Sequence, residues 1–188
     1  MRYLLFLSLP LFLLDQLTKW LVLQDIGFGA EIPVIPGFFS LVHVTNTGAA
    51  FGMLQGKNTF FIVLAAVAMV VVVGLFWLNR PSANRAGPGL TATTKVALAL
   101  LLAGIAGNLV DRLWRGQVID FLHFYHEQYE FPSFNVADSC ISVAAALLIL
   151  GSVISGKDKS VPGTRKRVSG GVRRSEFGVR SSDPPPDR

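Results

Sequence analysis

The sequence predicts an all-α membrane protein with four transmembrane helices and a strand-like segment in one connecting loop. Three observations carry that expectation. Hydrophobic residues make up 51% of the 188 residues and charged ones only 15%, with a mean hydropathy of +0.49. Soluble domains are nearer a quarter charged. Asn58 to Asn79 holds no charge over 22 positions, a helical length of about 33 Å against a hydrocarbon core of about 30 Å. Three further stretches of similar length are mostly apolar. Together these exclude a disordered chain and argue against a water-soluble globule.

The first span, about residues 3–23, is apolar to Leu14, then reads Asp15-Gln16-Leu17-Thr18-Lys19 and turns apolar again. A cleaved signal peptide is the competing reading of this segment, and the polar pentad argues against it because a cleaved apolar region has no use for one. The second span, 58–79, is uncharged. The third, 96–113, carries Asn108, Asp111 and Arg112 near one end, and the fourth, 136–154, carries Asp138 near its start. Trp20, Trp77 and Trp114 fall near span ends, as interfacial aromatic belts require. Between the first two spans, Phe38 to Asn46 is rich in β-branched and aromatic residues and bounded by Pro36-Gly37 and Gly48, so it reads as a strand or short hairpin. The loop between the last two spans packs seven aromatics into Trp114–Phe134, which suits a segment resting at the headgroup level.

Charge fixes the expected orientation. The formal charge of +5 belongs entirely to residues 156–188, with nine basic against four acidic residues; residues 1–155 carry eight of each sign. With the amino terminus inside, thirteen basic residues face the cytoplasm, whereas only Lys57 and Arg115 face out. Both termini are therefore expected to be cytoplasmic. The basic pI of about 9.7 then reports membrane orientation and no nucleic-acid partner. The tail, rich in Gly, Ser, Pro and Arg, reads as disordered. Cys140 is the single cysteine; it permits no internal disulfide, and without a basic neighbour it reads as an inert core thiol.

Ionisable residues at membrane depth are the informative ones, because each costs about 2.5 to 3.5 kcal/mol on insertion scales unless paired or hydrated. Asp15 and Lys19 are four apart on one helical face, and a structural ion pair is the favoured reading. Asn108, Asp111 and Arg112 share a face by the same pairing logic, with structural and binding roles both open. Gly104 and Gly107 just before them allow close helix approach. Asp120 and Asp138 sit among apolar neighbours, and a short outer loop brings the ends of spans three and four to one membrane face. Two carboxylates meeting there cannot easily both ionise, so one proton is shared. Such a pair suits amide hydrolysis: the ionised member activates water and the protonated member polarises the carbonyl. The alternative is that Asp138 only caps its helix and Asp120 only a turn. Asn46 and Gly48 by themselves read as a simple turn. His123 and His126, with Asp120 and Glu127, match no specific metal-ligand spacing, and neither metal nor cofactor is expected.

Five blocks, in this order, resemble the bacterial lipoprotein signal peptidases (signal peptidase II). They are Asp15-Gln16-Leu17-Thr18-Lys19, Val44-Thr45-Asn46-Thr47-Gly48-Ala49-Ala50-Phe51, Gly104 to Arg112, Val118-Ile119-Asp120-Phe121 and Phe134-Asn135-Val136-Ala137-Asp138. The resemblance covers residues 1 to about 155 and implies a four-helix membrane bundle with a small β-rich periplasmic cradle. It implies an inner-membrane aspartic endopeptidase that removes signal peptides from diacylglyceryl-modified prolipoproteins just before the lipidated cysteine, and that is blocked by globomycin. Asp120 and Asp138 would be the catalytic pair. Asn46, Gly48, Asn108, Arg112 and Asn135 would line or hold the cleft, and Asp15 and Lys19 would support it. The expected partners are those prolipoproteins and membrane lipids, with the chain acting as a monomer. A small proton or ion translocator using the same carboxylates is the rival class, and a non-catalytic scaffold is another.

Overall fold

The computed structural model of the chain describes residues 2–48, 53–79 and 89–158. The disordered tail expected from Gly156 onward falls, from residue 159, outside the described residues; the helix before it continues to Asp158.

Among the described residues, four helices are long and apolar enough to cross a membrane. Helix α1 (Leu9–Asp25) follows a π-helical turn at Leu4–Ser8, where the buried Ser8 hydroxyl donates to the Ala99 carbonyl at 2.8 Å. Helix α2 spans Asn58–Leu78, α3 Ala92–Trp114 and α4 Val136–Asp158. Each of the four expected stretches is covered by one of these helices, the first together with the π-helical turn, with helix ends displaced by up to four residues. Valine-rich α2 would be a mediocre helix in water, but in lipid every backbone polar group must be satisfied within the segment. Only Val72 of α2 is buried against protein. Ala65, Ala68, Met69 and Phe76 pack beside it toward α3, and the exposed remainder suits lipid.

Helix α3 is the central element. Its start is capped by the Thr91 hydroxyl, which accepts the Thr94 N–H at 3.1 Å. Small residues then bring it close to its neighbours: Ala97, Ala99, Ala103, Gly104 and Gly107 are all buried. A Cβ on Gly104 would collide with the Ala137 carbonyl on α4, and one on Gly107 with the Asp15 carboxylate on α1. The close approach expected at these glycines is what the structure contains.

A four-stranded antiparallel sheet of order β1-β2-β3-β4 supplies the rest: β1 (Glu31–Ile35), β2 (Phe39–Asn46), β3 (Val118–His126) and β4 (Tyr129–Glu130). It corrects the sequence reading in two places. The aromatic-rich stretch after α3 is not merely an interfacial segment, because Val118–His126 is a strand pairing along β2; Val, Ile, Phe and Tyr serve a pleated surface as well as a headgroup layer. The first loop also holds two strands, with Glu31 opposite Val42 and Ile32 opposite Leu41. Strands β1 and β2 join α1 to α2, while β3 and β4 join α3 to α4. Both excursions therefore leave the same end of the bundle, and the sheet is pinned there by Val22 of α1 and Ile26 just after it, packed against Ile119 and Phe121 of β3.

Candidate active site

Two carboxylates from different elements meet beneath the sheet. Asp120 projects from β3 and is 3% exposed, opposite Val44 of β2. Between the Leu41–Leu122 and Val44–Asp120 pairs, β2 holds one residue more than β3. Such a bulge twists a strand and re-aims side chains locally. Asp138 stands in the first turn of α4. Its Oδ2 accepts the Asn135 N–H at 3.2 Å, while Asn135 Oδ1 accepts the Asp138 N–H at 3.0 Å. This reciprocal capping box starts the helix. Asp138 thus does cap α4, as the structural alternative held, but one oxygen suffices for that.

The other oxygen, Oδ1, accepts the Asn108 side-chain N–H at 2.7 Å. Asn135 is fully buried, and its Nδ2 donates to Asp120 Oδ1 at 2.8 Å and to the Ile119 carbonyl at 3.2 Å. Asn46 Nδ2 donates to Asp120 Oδ2 at 3.2 Å. Among the described residues no hydrogen bond joins the two carboxylates directly; Asn135 touches both. Burial pushes the Asp120 carboxyl up to about 7, and the negative charge of Asp138 adds to the rise, against smaller opposing effects of Asn46, Asn135 and Lys19.

Behind the carboxylates lies a buried charge cluster. Lys19 Nζ is 2.9 Å from Asp15 and 2.7 Å from Asp111, and it donates to Asn108 Oδ1 at 3.1 Å. An ammonium can only donate, so Asn108 must turn its oxygen to Lys19 and its N–H to Asp138. Asp15 Oδ1 also accepts the Ala137 N–H at 2.9 Å, tying α1 to the first turn of α4. The Asp15–Lys19 pair is therefore present, but it is one part of a larger cluster. Asp111 does not pair with its neighbour Arg112; it pairs with Lys19 and with Arg115 at 2.5 Å. Arg112 instead donates to the Gly48 carbonyl at 2.7 Å.

A cleft of about 770 Å³ opens over the two carboxylates. Asn46, Gly48 and Gln55 border it on one side, Asn108 and Arg112 of α3 on another, and Phe131–Phe134 with Ser139, Ser142 and Val143 of α4 on the third. The arrangement offers two carboxylates, one of them easily protonated near neutrality, beside amide donors at the edge of an apolar bundle. That is the equipment for adding water to a carbonyl.

The family pattern described as "Signal peptidase (SPase) II" matches residues 7–154. The chain belongs to the signal peptidase II family. The lipoprotein signal peptidase of Symbiobacterium thermophilum is 44% identical over 148 residues, which cover 79% of this chain and 92% of that protein. The lipoprotein signal peptidase of Bacillus pumilus is 40% identical over 77% of this chain and 88% of its own length. A solved structure described as "Bacterial membrane enzyme structure by the in meso method at 2.3 A resolution" aligns with a TM-score of 0.75 at 30% identity, covering 85% of this chain and 92% of that one.

In this signal peptidase II fold every residue expected to belong to the site reaches the cleft or the network behind it. Asp120, Asp138, Asn46, Gly48, Asn108 and Arg112 line the cleft, Asn135 bridges the carboxylates, and Asp15 and Lys19 hold Asn108 and α4 from behind. His123 lies on β3 with its ring 5.3 Å from that of Tyr125 and does not line the cleft. Cys140 is buried. Sequence reasoning missed Asn58, whose Nδ2 donates to the Arg112 carbonyl at 3.1 Å, and Gln55, Ser139 and Ser142 on the cleft wall. Its only signal was a polar residue opening an otherwise apolar span.

Proposed function

We propose that this chain is an inner-membrane aspartic endopeptidase that removes signal peptides from diacylglyceryl-modified prolipoproteins, cutting just before the lipidated cysteine, with Asp120 and Asp138 as the catalytic pair. The observation that carries the reading is that both carboxylates face one cleft, bridged by Asn135 and held by separate amides rather than by each other. Water in the cleft that both carboxylates line is the nucleophile. The ionised carboxylate takes a proton from that water as its oxygen attacks the scissile carbonyl. The protonated one gives its proton to the carbonyl oxygen. Collapse of the tetrahedral adduct breaks the C–N bond, and the leaving amine takes up a proton from the dyad. Because the pair is coupled, its titration belongs to both members. Asn46, Gly48, Asn108, Arg112 and Asn135 hold the site and the substrate backbone, which must be satisfied once it unwinds at membrane depth.

Residues 1–155 form the peptidase domain, acting as a monomer. The sheet and cleft face the periplasm and both termini the cytoplasm, an orientation supported by the thirteen basic residues on the inner side against two on the outer. The diacylglyceryl chains remain in lipid beside the bundle and fix the scissile bond at the interface, so positioning supplies part of the rate. Residues 156–188 touch anionic headgroups and are dispensable for cleavage. The test is reconstituted protein with a prolipoprotein in two forms. Cleavage before the cysteine of the diacylglyceryl form, blocked by globomycin and absent or much slower for the unmodified form, is the expected outcome. Proton flux without peptide cleavage would replace this reading with the translocator.

A further inference from the structure

A continuous chain of hydrogen bonds runs from the start of α2 to Asp120. Asn58 Nδ2 donates to the Arg112 carbonyl at 3.1 Å, and Arg112 Nη1 reaches Asn58 Oδ1 at 3.5 Å. One helical turn on, the Phe61 ring lies under the guanidinium, 4.5 Å from Cζ to centroid. The face of a phenyl ring attracts a cation, more strongly where water is scarce. Arg112 Nη2 donates to the Gly48 carbonyl at 2.7 Å, the Gly48 N–H donates to Asn46 Oδ1 at 2.8 Å, and Asn46 Nδ2 donates to Asp120 Oδ2 at 3.2 Å. Each link fixes the next. With its oxygen occupied by the Gly48 N–H, the Asn46 amide can present only its N–H to Asp120. Gly48 has no room to shift, since even a Cβ there would run into the Met53 carbonyl.

We propose that Asn58 and Phe61 are positioning residues of the peptidase: they hold the Arg112 guanidinium, and through Gly48 they hold the Asn46 amide on Asp120. Nothing in the substrate-cleaving reading requires α2, which otherwise packs Val72, with Ala65, Ala68, Met69 and Phe76 beside it, against Leu98 and Ile105 of α3. Asn58 ties α2 to the carboxyl end of α3 at two points, where the helix leaves carbonyls without intrahelical partners. The inference rests on the proposed peptidase activity and adds α2 to a machinery otherwise drawn from α1, α3, α4 and the sheet. The groups facing Asp120 are Asn46 from β2, Asn135 before α4, Asp138 from α4, and the charges of Lys19 on α1 and Arg112 on α3.

The experiment uses the full chain in liposomes with a diacylglyceryl prolipoprotein, comparing wild type, Asn58→Ala, Phe61→Leu, Asn46→Ser and the Asn58→Ala/Asn46→Ser double variant. Wild-type cleavage is the control for the activity itself; its absence would sink the peptidase reading rather than this one. Asn58→Ala and Phe61→Leu should each lower kcat by about three- to tenfold with KM nearly unchanged. They should also move the alkaline limb of the pH–rate profile upward, because a misplaced Asn46 amide no longer stabilises ionised Asp120. The double variant should be no slower than Asn46→Ser alone. A purely structural role would leave the pH profile of both single variants in place and make the losses multiply, and that result would overturn the proposal. If Asn58→Ala fails to insert, Phe61→Leu, which keeps an apolar side chain at that position, decides by the same two readouts.

Discussion

Asn135 combines a side-chain donor, a side-chain acceptor and a backbone donor at one point of the site. Its amide donates to Asp120, its side-chain oxygen starts α4, and its backbone N–H reaches Asp138. Asp120, held nearby with its carboxyl raised from 3.8 to about 7 mainly by burial, has two consequences for pH. The folded protein binds this proton more tightly than the unfolded chain, so Asp120 contributes stability that is complete below about pH 4 and lost as pH rises through about 7. The melting temperature of wild type should therefore fall between pH 5 and 8, and that slope should flatten in Asp120→Asn, read by thermal unfolding in detergent. An identical slope in the variant would mean that Asp120 is not the group titrating. In the proposed mechanism turnover needs one protonated carboxyl, so kcat/KM should decline on the alkaline side with a midpoint near 7; a profile flat from pH 6 to 9 would contradict this. Lys19 makes a different kind of contribution. Its removal in Lys19→Met leaves Asp15 without its cation and Asp111 with Arg115 alone, and breaking a buried pair costs about 3–5 kcal/mol. A sharply lowered melting temperature is the expected readout, and an unchanged one would mean that these carboxylates are hydrated.

Helices and strands were legible to different degrees, for physical reasons. Four long apolar runs can only be spans, so α1 to α4 followed from length and hydropathy; their ends blurred because Thr91 and Lys95 open α3 with polar residues that sequence hydropathy counts as loop. Strand β2 showed itself through Val, Thr and Phe between turn residues. Strand β3 did not, since an aromatic-rich segment at a membrane surface satisfies two physical descriptions equally well and only pairing with β2 separates them. The ionisable residues stood out because membrane depth makes an unpaired charge so unfavourable, yet their partners did not: the Lys19–Asp111 and Arg112–Gly48 contacts join residues far apart in sequence, which spacing along one helix cannot foresee. Helix packing supplies its own prediction. Gly104→Ala should push α4 off α3, lowering both the melting temperature and cleavage several-fold, because the new methyl meets the Ala137 carbonyl. Gly151→Ala, with nothing within 4 Å, should change stability by no more than about 1 kcal/mol and leave cleavage intact. Equal effects of the two substitutions would remove close packing at Gly104 as the cause.

At the scale of the molecule, a lipid-facing bundle carries a polar core at one end only. The four spans alternate in direction, so the sheet, the cleft and the cluster of Lys19, Asp15 and Asp111 all gather where α1 ends and α4 begins. The formal charge of +5 lies in the last 33 residues, away from that end in sequence, and the first 155 residues are formally neutral. Charge and chemistry are thus separated along the chain. In the proposed mechanism Asp120 and Asp138 act together on water. Purified wild type, Asp120→Asn and Asp138→Asn, reconstituted with a diacylglyceryl prolipoprotein, test this most directly when single-turnover cleavage and thermal unfolding are measured on the same samples. Both variants should insert and unfold cooperatively while cleaving at least about 100-fold more slowly, the lower end of what general acid–base groups contribute. Cleavage by either folded variant at the wild-type rate would contradict the catalytic assignment.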